Sequence, residues 1–160
     1  MEFDNTFSVN APIDEVFKTL LDLERVAPCV PGAEVLEQTS DSSYKVGIKV
    51  KVGPMSMTYK GDIEILERDH EAHRALMRAK ARETRGQGAA DAKVTMALTE
   101  AGGATQGTIH SDVRLSGKVA AMGGGVIKDV SSRIVDAFAV KVGRARAPPA
   151  AAGASGLARR

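Results

Sequence analysis

Aromatic and sulfur chemistry are scarce in this chain. It has one cysteine, Cys29, no tryptophan, four phenylalanines and two tyrosines in 160 residues. A single cysteine excludes an intramolecular disulfide and fits a reducing cytoplasm. No run approaches the roughly 18 apolar residues that span a bilayer. The N-terminus, Met1-Glu2-Phe3-Asp4-Asn5, is acidic and enters a strand pattern directly, so no secretory leader is expected. Charge of one sign is also scarce. The net charge of +2 comes from Arg144, Arg146, Arg159 and Arg160, and without them 18 basic side chains face 20 acidic ones, a balance of −2. Without a basic face or interleaved aromatics, nucleic acid is not an expected partner.

What the chain does have is alternation. In Tyr44-Lys45-Val46-Gly47-Ile48-Lys49-Val50-Lys51-Val52 the even positions are apolar and the lysines point the other way. Side chains alternate faces along a strand, so such a segment covers a core on one side and meets water on the other. The same pattern holds for Met55-Met57-Tyr59-Gly61-Ile63-Ile65, Ala75-Met77-Ala79-Ala81, Ala90-Ala92-Val94-Met96-Leu98 and Ile109-Ser111-Val113-Leu115. These inner faces are rich in small residues and methionine. A sheet lined that way either packs closely on a helix or encloses a space.

Residues 2–9 read as a first strand. Pro12 suits the first position of a helix, Asp14 and Glu15 suit its positive end, and Ile13, Val16, Phe17 and Leu20 form its stripe. A short second helix is expected from the cap Asp22 to about Ala27. Six strands follow, near 33–39, 43–52, 55–69, 72–84, 88–100 and 104–116, joined by short turns as in an antiparallel meander. From Lys118 to about Lys141, apolar residues at Val119, Met122, Val126, Val130, Ile134 and Phe138 predict a long amphipathic helix with Ser116 as cap. The class is therefore α+β, in the order β-α-α-β6-α, with a curved seven-stranded antiparallel sheet around a long C-terminal helix. One domain is expected over 1–142. The Ala/Pro/Arg-rich segment 143–160 reads as a flexible tail.

Several blocks carry a resemblance. They are Phe7-Ser8-Val9-Asn10-Ala11-Pro12, Val26-Ala27-Pro28-Cys29-Val30-Pro31-Gly32-Ala33-Glu34, Val50-Lys51-Val52-Gly53-Pro54 with Tyr59-Lys60-Gly61, and Leu115-Ser116-Gly117-Lys118-Val119-Ala120. Together they resemble the G-subunit family of carbon monoxide dehydrogenase, of the START-like, helix-grip superfamily, over roughly residues 2–140. The resemblance implies an apolar cavity between sheet and helix. It also implies an accessory role toward a molybdenum-containing carbon monoxide dehydrogenase or related hydroxylase, by membrane recruitment or by electron transfer to a bound quinone. Such proteins often end in an apolar anchor. Here the sequence ends Gly156-Leu157-Ala158-Arg159-Arg160, so the expectation is a cytoplasmic protein with peripheral contact on the inner face of the membrane.

The expected cavity residues are Tyr44, Met55, Met57, Tyr59, Met77, Ala79, Ala92 and Met96 on the strands, and Met122, Val126 and Val130 on the helix stripe. Methionine suits a pocket for a long apolar ligand such as an isoprenoid quinone or a lipid, and it serves equally as core filling. Small neighbours at Ala75, Ala79, Ala90 and Ala92 favour the cavity. Val26, Cys29, Val30, Pro31, Gly32, Gly53 and Pro54 form either a pocket mouth or a rigid turn fixed by its prolines. Arg74, Arg78, Lys80 and Arg82 share one outer strand face, which is either solvated or a docking strip for a partner. Gly123-Gly124-Gly125 marks a close approach, a hinge, or a helix that begins only beyond it, since each glycine inside a helix costs about 1 kcal/mol.

Chemistry is thin. Cys29 has no base nearby in sequence and reads as a packed, inert thiol. His70 and His73 straddle a turn and His110 lies far away, so no metal site is expected. The inner faces offer Tyr44, Tyr59 and Ser111 but no acid–base pair. The first reading is a non-enzymatic accessory protein holding an apolar small molecule, with no covalent cofactor. The rivals are an interaction adaptor with a filled core, and a cyclase or hydrolase of the same superfamily.

Overall fold

The computed structural model describes residues 1–145. Strand β1 spans Glu2–Val9, followed by helix α1 at Ile13–Leu21 and the single turn α2 at Leu23–Val26. Then come β2 (Ala33–Gln38), β3 (Ser43–Val52), β4 (Met55–Asp69), β5 (Arg74–Glu83), β6 (Gly88–Ala101) and β7 (Ala104–Gly117). Helix α3 closes the described chain at Gly124–Ala145. It runs three residues past the domain boundary expected at 142. The rest of the expected tail, 146–160, lies outside the described residues.

The seven strands form one antiparallel sheet in the order β1-β7-β6-β5-β4-β3-β2. The meander from β2 to β7 follows the chain, and β1 returns to pair with β7. Helices α1 and α2 therefore carry the chain from one sheet edge to the other. Bulges fall between Val35 and Glu37 and between Ile65 and Glu67. They increase the local twist of strands that already coil around the helical layer.

The strand expectations hold to within two residues at every end, because turn residues and period-two alternation are local signals. The helix ends differ more. Pro12 caps α1 from outside, its carbonyl accepting from the Val16 amide at 3.1 Å. Asp22 caps α2 as expected, with its side chain accepting from the Arg25 amide. Ser116 does not cap α3, because its hydroxyl instead accepts from the Ala89 amide across β6 and β7. A single 3-10 turn at Ala120–Met122 and Gly123 at φ +91° come first. The glycine triplet therefore stands at the start of α3 and does not interrupt it. The positive φ of Gly123 re-aims the chain there, at no steric cost to glycine.

The phase of α3 also corrects the expected stripe. Ile127, Val130, Ile134, Val135 and Phe138 face the sheet, and Val142 is fully buried, whereas Val126 is exposed. At 3.6 residues per turn, each step of four overshoots by about 40°. The row Val126-Val130-Ile134-Phe138 therefore winds around the helix, and Ile127 takes the inner place that Val126 leaves.

The main core gathers Phe7, Val9, Val16, Phe17, Leu20, Leu23, Met96 and Leu98 with Val142. Phe7 packs edge-on against Phe138, with ring centroids 5.7 Å apart. Its ring lies over Gly107, its register partner on β7, where any Cβ would collide with it. Phe17 receives the rings of both His70 and His73 edge-on at 5.4 Å, and His73 Nε2 is 2.8 Å from an Asp14 carboxylate oxygen. The β4–β5 turn is therefore pinned to α1 and not left free in water as its sequence suggests.

Candidate functional site

The inner face of the sheet is not filled evenly. Ala79, Ala81 and Ala90 bring only single methyl groups, and the register sets Ala81 between Gly61 and Ala90 and sets Ala79 beside Ala92. Sheet and helices do not close over them, and a cavity of about 380 Å³ remains. That lies within the roughly 300–1,000 Å³ typical of small-molecule sites. Its floor includes Val46 and Ile48 of β3, Tyr59 and Ile63 of β4, and Met77 and Ala79 of β5. Val94 and Met96 of β6 and Ile109 of β7 extend that floor. Leu20, Leu23, Val26, Ala27 and Val30 wall it, and Phe138 of α3 covers it. Glu34, Asp62 and Lys80 border it from outward-facing strand positions.

A second chamber of about 240 Å³ lies between α3 and the sheet, bordered by Phe3, Val50, Val113, Leu115, Ile127 and Val130 among others. Tyr59 and Ala90 border both chambers. The two spaces therefore share one tyrosine and one alanine in their walls.

Of the expected cavity residues, Tyr59, Met77, Ala79 and Met96 border the larger chamber, and Val130 borders the smaller. Tyr44 is packed into the main core. Met55, Met57 and Met122 pack with Val52 and Val119 in a second cluster, where Met57 is 1% exposed. Ala92 sits on the inner face between its register partners Ala79 and Val113, yet borders neither chamber. Val126 is turned to solvent. Ala90, expected only as a small neighbour of the cavity, borders both chambers, and sequence reasoning misses Val46, Ile48, Ile63, Ala81, Val94 and Ile109 as site residues. Their signal is present in the chain, since all occupy the same inward phase of their strands.

The expected mouth divides in the same way. Val26 and Val30 border the chamber. Cys29 is buried behind them with its Sγ 3.8 Å from the Arg25 carbonyl, and burial pushes its thiol pKa up against the pull of Lys141. Pro31 leads into Gly32, whose φ is +81° and whose carbonyl accepts from the Lys49 amide at 3.0 Å. Any Cβ at Gly32 would strike the Lys49 carbonyl, so glycine lets this wall dock directly on β3. Gly53 lies against Met122, Pro54 is exposed, and neither borders a chamber.

One inward carboxylate beside the cavity is already engaged. Glu83 points inward with its side chain out of solvent. The Thr58 amide at 3.0 Å, then those of Arg85 and Gln87, hold its carboxyl below the usual glutamate range against the opposing effect of burial. It thereby ties the β5–β6 turn to β4. Burial, and then the negative charge of Glu83, push the Tyr59 phenol up, so it stays a protonated donor.

The row of cations on β5 is interleaved with acids over part of its length. Arg78 holds Asp91 through two nitrogens at 3.2 and 3.4 Å, and that bond is the main reason the Asp91 carboxyl titrates low. Arg74 is 3.8 Å from Glu67, and Lys80 lies in register between Asp62 and Asp91. Arg82 faces Lys60 on β4. Acids from β4 and β6 interleave with Arg74, Arg78 and Lys80, as a solvated, paired face expects. On the same outer face, His110 sits 2.7 Å from Asp4 and 3.1 Å from Glu2. The Asp4 hydrogen bond raises its pKa most. Among the described residues there is no group of three or more His, Cys, Asp or Glu side chains that could hold a metal ion. No helix there is long and apolar enough to cross a membrane.

The family model for the carbon monoxide dehydrogenase G-subunit (CoxG) matches residues 6–145. None of the curated proteins matches the chain. Among solved structures, a conserved protein from Geobacillus kaustophilus is similar at TM-score 0.82 and 20% identity, over 91% of this chain and 95% of that one. The Zhui aromatase/cyclase from Streptomyces sp. R1128 aligns at TM-score 0.67 and 19% identity, over 96% and 98%. A START superfamily protein from Mycobacterium smegmatis aligns at TM-score 0.58 and 13% identity, over 89% and 94%. At these identities the likeness shows the fold, which is the START-like helix grip.

Proposed function

This chain belongs to the CoxG family of carbon monoxide dehydrogenase G-subunits, and on that premise we propose that it is a non-enzymatic accessory protein that carries an apolar ligand between its sheet and helices. The observation that supports this reading is the 380 Å³ cavity, walled almost wholly by aliphatic side chains and methionine. Removing apolar surface from water at about 25 cal/mol per Å² supplies the driving force. A long, flexible molecule such as an isoprenoid quinone or a lipid acyl chain matches the larger chamber, which shares Tyr59 and Ala90 with the smaller one. In this role the protein supports a carbon monoxide dehydrogenase or related molybdenum hydroxylase, by bringing it to a membrane surface or by relaying its electrons through a bound quinone.

One solved structure of the same fold is named as an aromatase/cyclase, so catalysis must be weighed against carriage. Cyclisation needs groups that move protons at the ligand. Here the cavity carries one phenol held protonated, the Glu83 carboxylate beside it is spent on three backbone amides, and Glu34, Asp62 and Lys80 border the space from outward-facing strand positions.

The test is native mass spectrometry of gently purified protein, with organic extraction of what co-purifies. A stoichiometric quinone or lipid is the expected result, and Ala79→Trp should lose it while keeping its far-UV circular dichroism. An apo mass that persists after incubation with quinones and membrane lipids overturns the carrier reading.

A further inference from the structure

Tyr59 is 7% exposed, yet among the described residues the one hydrogen-bond partner of its hydroxyl is the Met57 thioether sulfur at 4.0 Å. A thioether is a weak acceptor. A buried phenol normally finds an oxygen or nitrogen partner, and leaving it without one is costly. Tyr59 also borders both chambers, and of the two residues that do so, the other being Ala90, it alone carries a polar side chain. An aliphatic residue there would have closed the wall as well and carried no unmet polar group.

We propose that the Tyr59 hydroxyl is the polar anchor of this cavity, donating a hydrogen bond to a neutral carbonyl oxygen of the bound molecule and holding that group at the wall the chambers share. The proposal rests on the carrier reading above and refines it by naming the ligand's polar chemistry. Neutrality follows from Glu83, which lies directly opposite Tyr59 in the β4–β5 register. Its carboxylate, kept ionised by three amide donors, repels a second negative charge in a space of low dielectric. A fatty-acid carboxylate is therefore disfavoured, and a molecule with an uncharged carbonyl flanked by hydrocarbon is selected. A quinone ring bearing an alkyl or isoprenoid chain has that form. The ring oxygen meets the phenol, the chain fills the larger chamber, and the far side of the ring enters the smaller one.

The experiment compares wild type with Tyr59→Phe, which keeps the ring and removes only the oxygen. Isothermal calorimetry is run with decylubiquinone, with dodecanoic acid and with dodecylbenzene, which carries no acceptor. The expected result is a loss of about tenfold in decylubiquinone affinity in the variant, as for one net hydrogen bond, with dodecylbenzene unchanged. Dodecanoic acid should bind wild type more weakly than decylubiquinone. Infrared difference spectra of wild type alone give a readout that does not depend on the variant folding. The carbonyl band of bound decylubiquinone should lie at lower frequency than in hydrocarbon solvent. An unshifted band, or equal decylubiquinone affinity in the two proteins, overturns the anchor and leaves the carrier reading standing. Failure of wild type to bind any of the three probes overturns the carrier reading and the anchor with it.

Discussion

One end of the concave face is packed and the middle is hollow, although both are built from the same strands. At the packed end, Phe7, Val9 and Leu98 of the sheet interlock with Val16 and Phe17 of α1 and the end of α3, and Val16 and Val142 have no exposed surface. In the middle, Ala79, Ala81 and Ala90 face α3 across an empty space. The difference teaches a division of labour. Large side chains joining β1, α1, β6 and α3 hold the fold, so the middle is free to stay open. An interior left unfilled at ordinary packing density forfeits contact energy, and the packed end supplies the stability that tolerates it.

The comparison can be broken most sharply by cutting into both regions. Phe17→Ala removes a ring that also seats His70 and His73, and a loss of about 3–5 kcal/mol in chemical denaturation is expected. Ala90→Leu fills the hollow from the position shared by both chambers, and it should cost nothing or add about 0.5–2 kcal/mol while reducing ligand uptake. Equal losses from the two substitutions would mean the middle is as tightly packed as the end.

A second test concerns the border between the regions. Glu83→Gln keeps the shape but replaces a carboxylate that accepts from three amides with a side chain that also donates. The melting temperature should fall by several degrees. In wild type the carboxyl pKa is depressed on folding, so its contribution is complete above the ordinary value of 4.5 and is lost as pH falls through the depressed one. Thermal melts from pH 6 downward should therefore converge for wild type and variant.

Smaller effects mark the outer limits. Cys29 lies behind the cavity wall with its thiol pKa raised by burial. Native protein should react with iodoacetamide far more slowly at pH 7.5 than urea-unfolded protein, and equal rates would show that the wall opens freely. The least effect is expected from His110, whose pKa is raised by Asp4 and Glu2 on the exposed sheet face. Its pairing contributes fully below the ordinary value of 6.5 and is lost as pH climbs through the raised value. A small drop in melting temperature over that interval should vanish in His110→Asn.

The strands, their turns and the choice of inner face could be read from the chain because each is written among near neighbours. Lys45, Lys49 and Lys51 against Val46, Ile48 and Val50 leave one way to lay β3 on a core. The site was legible only in part. Met57 and Met77 look alike in sequence, each on an inward strand position, but one is packed beneath Val119 and the other borders the cavity. The cations of β5 read in sequence as either a solvated face or a docking strip, and the register adds that Asp62 and Asp91 lie beside Lys80.

By itself, the sequence determined the order β-α-α-β6-α, the amphipathic sheet and the family resemblance, since periodicity, turn chemistry and local motifs need no knowledge of distant residues. Tertiary structure alone decided where the space lies, which face α3 presents, and that a single tyrosine stands in the walls of two chambers. A cavity is the small difference between the curve of a sheet and the seat of a helix, and its size depends on residues such as Ala79, Ala90 and Phe138 that meet only when the chain has folded.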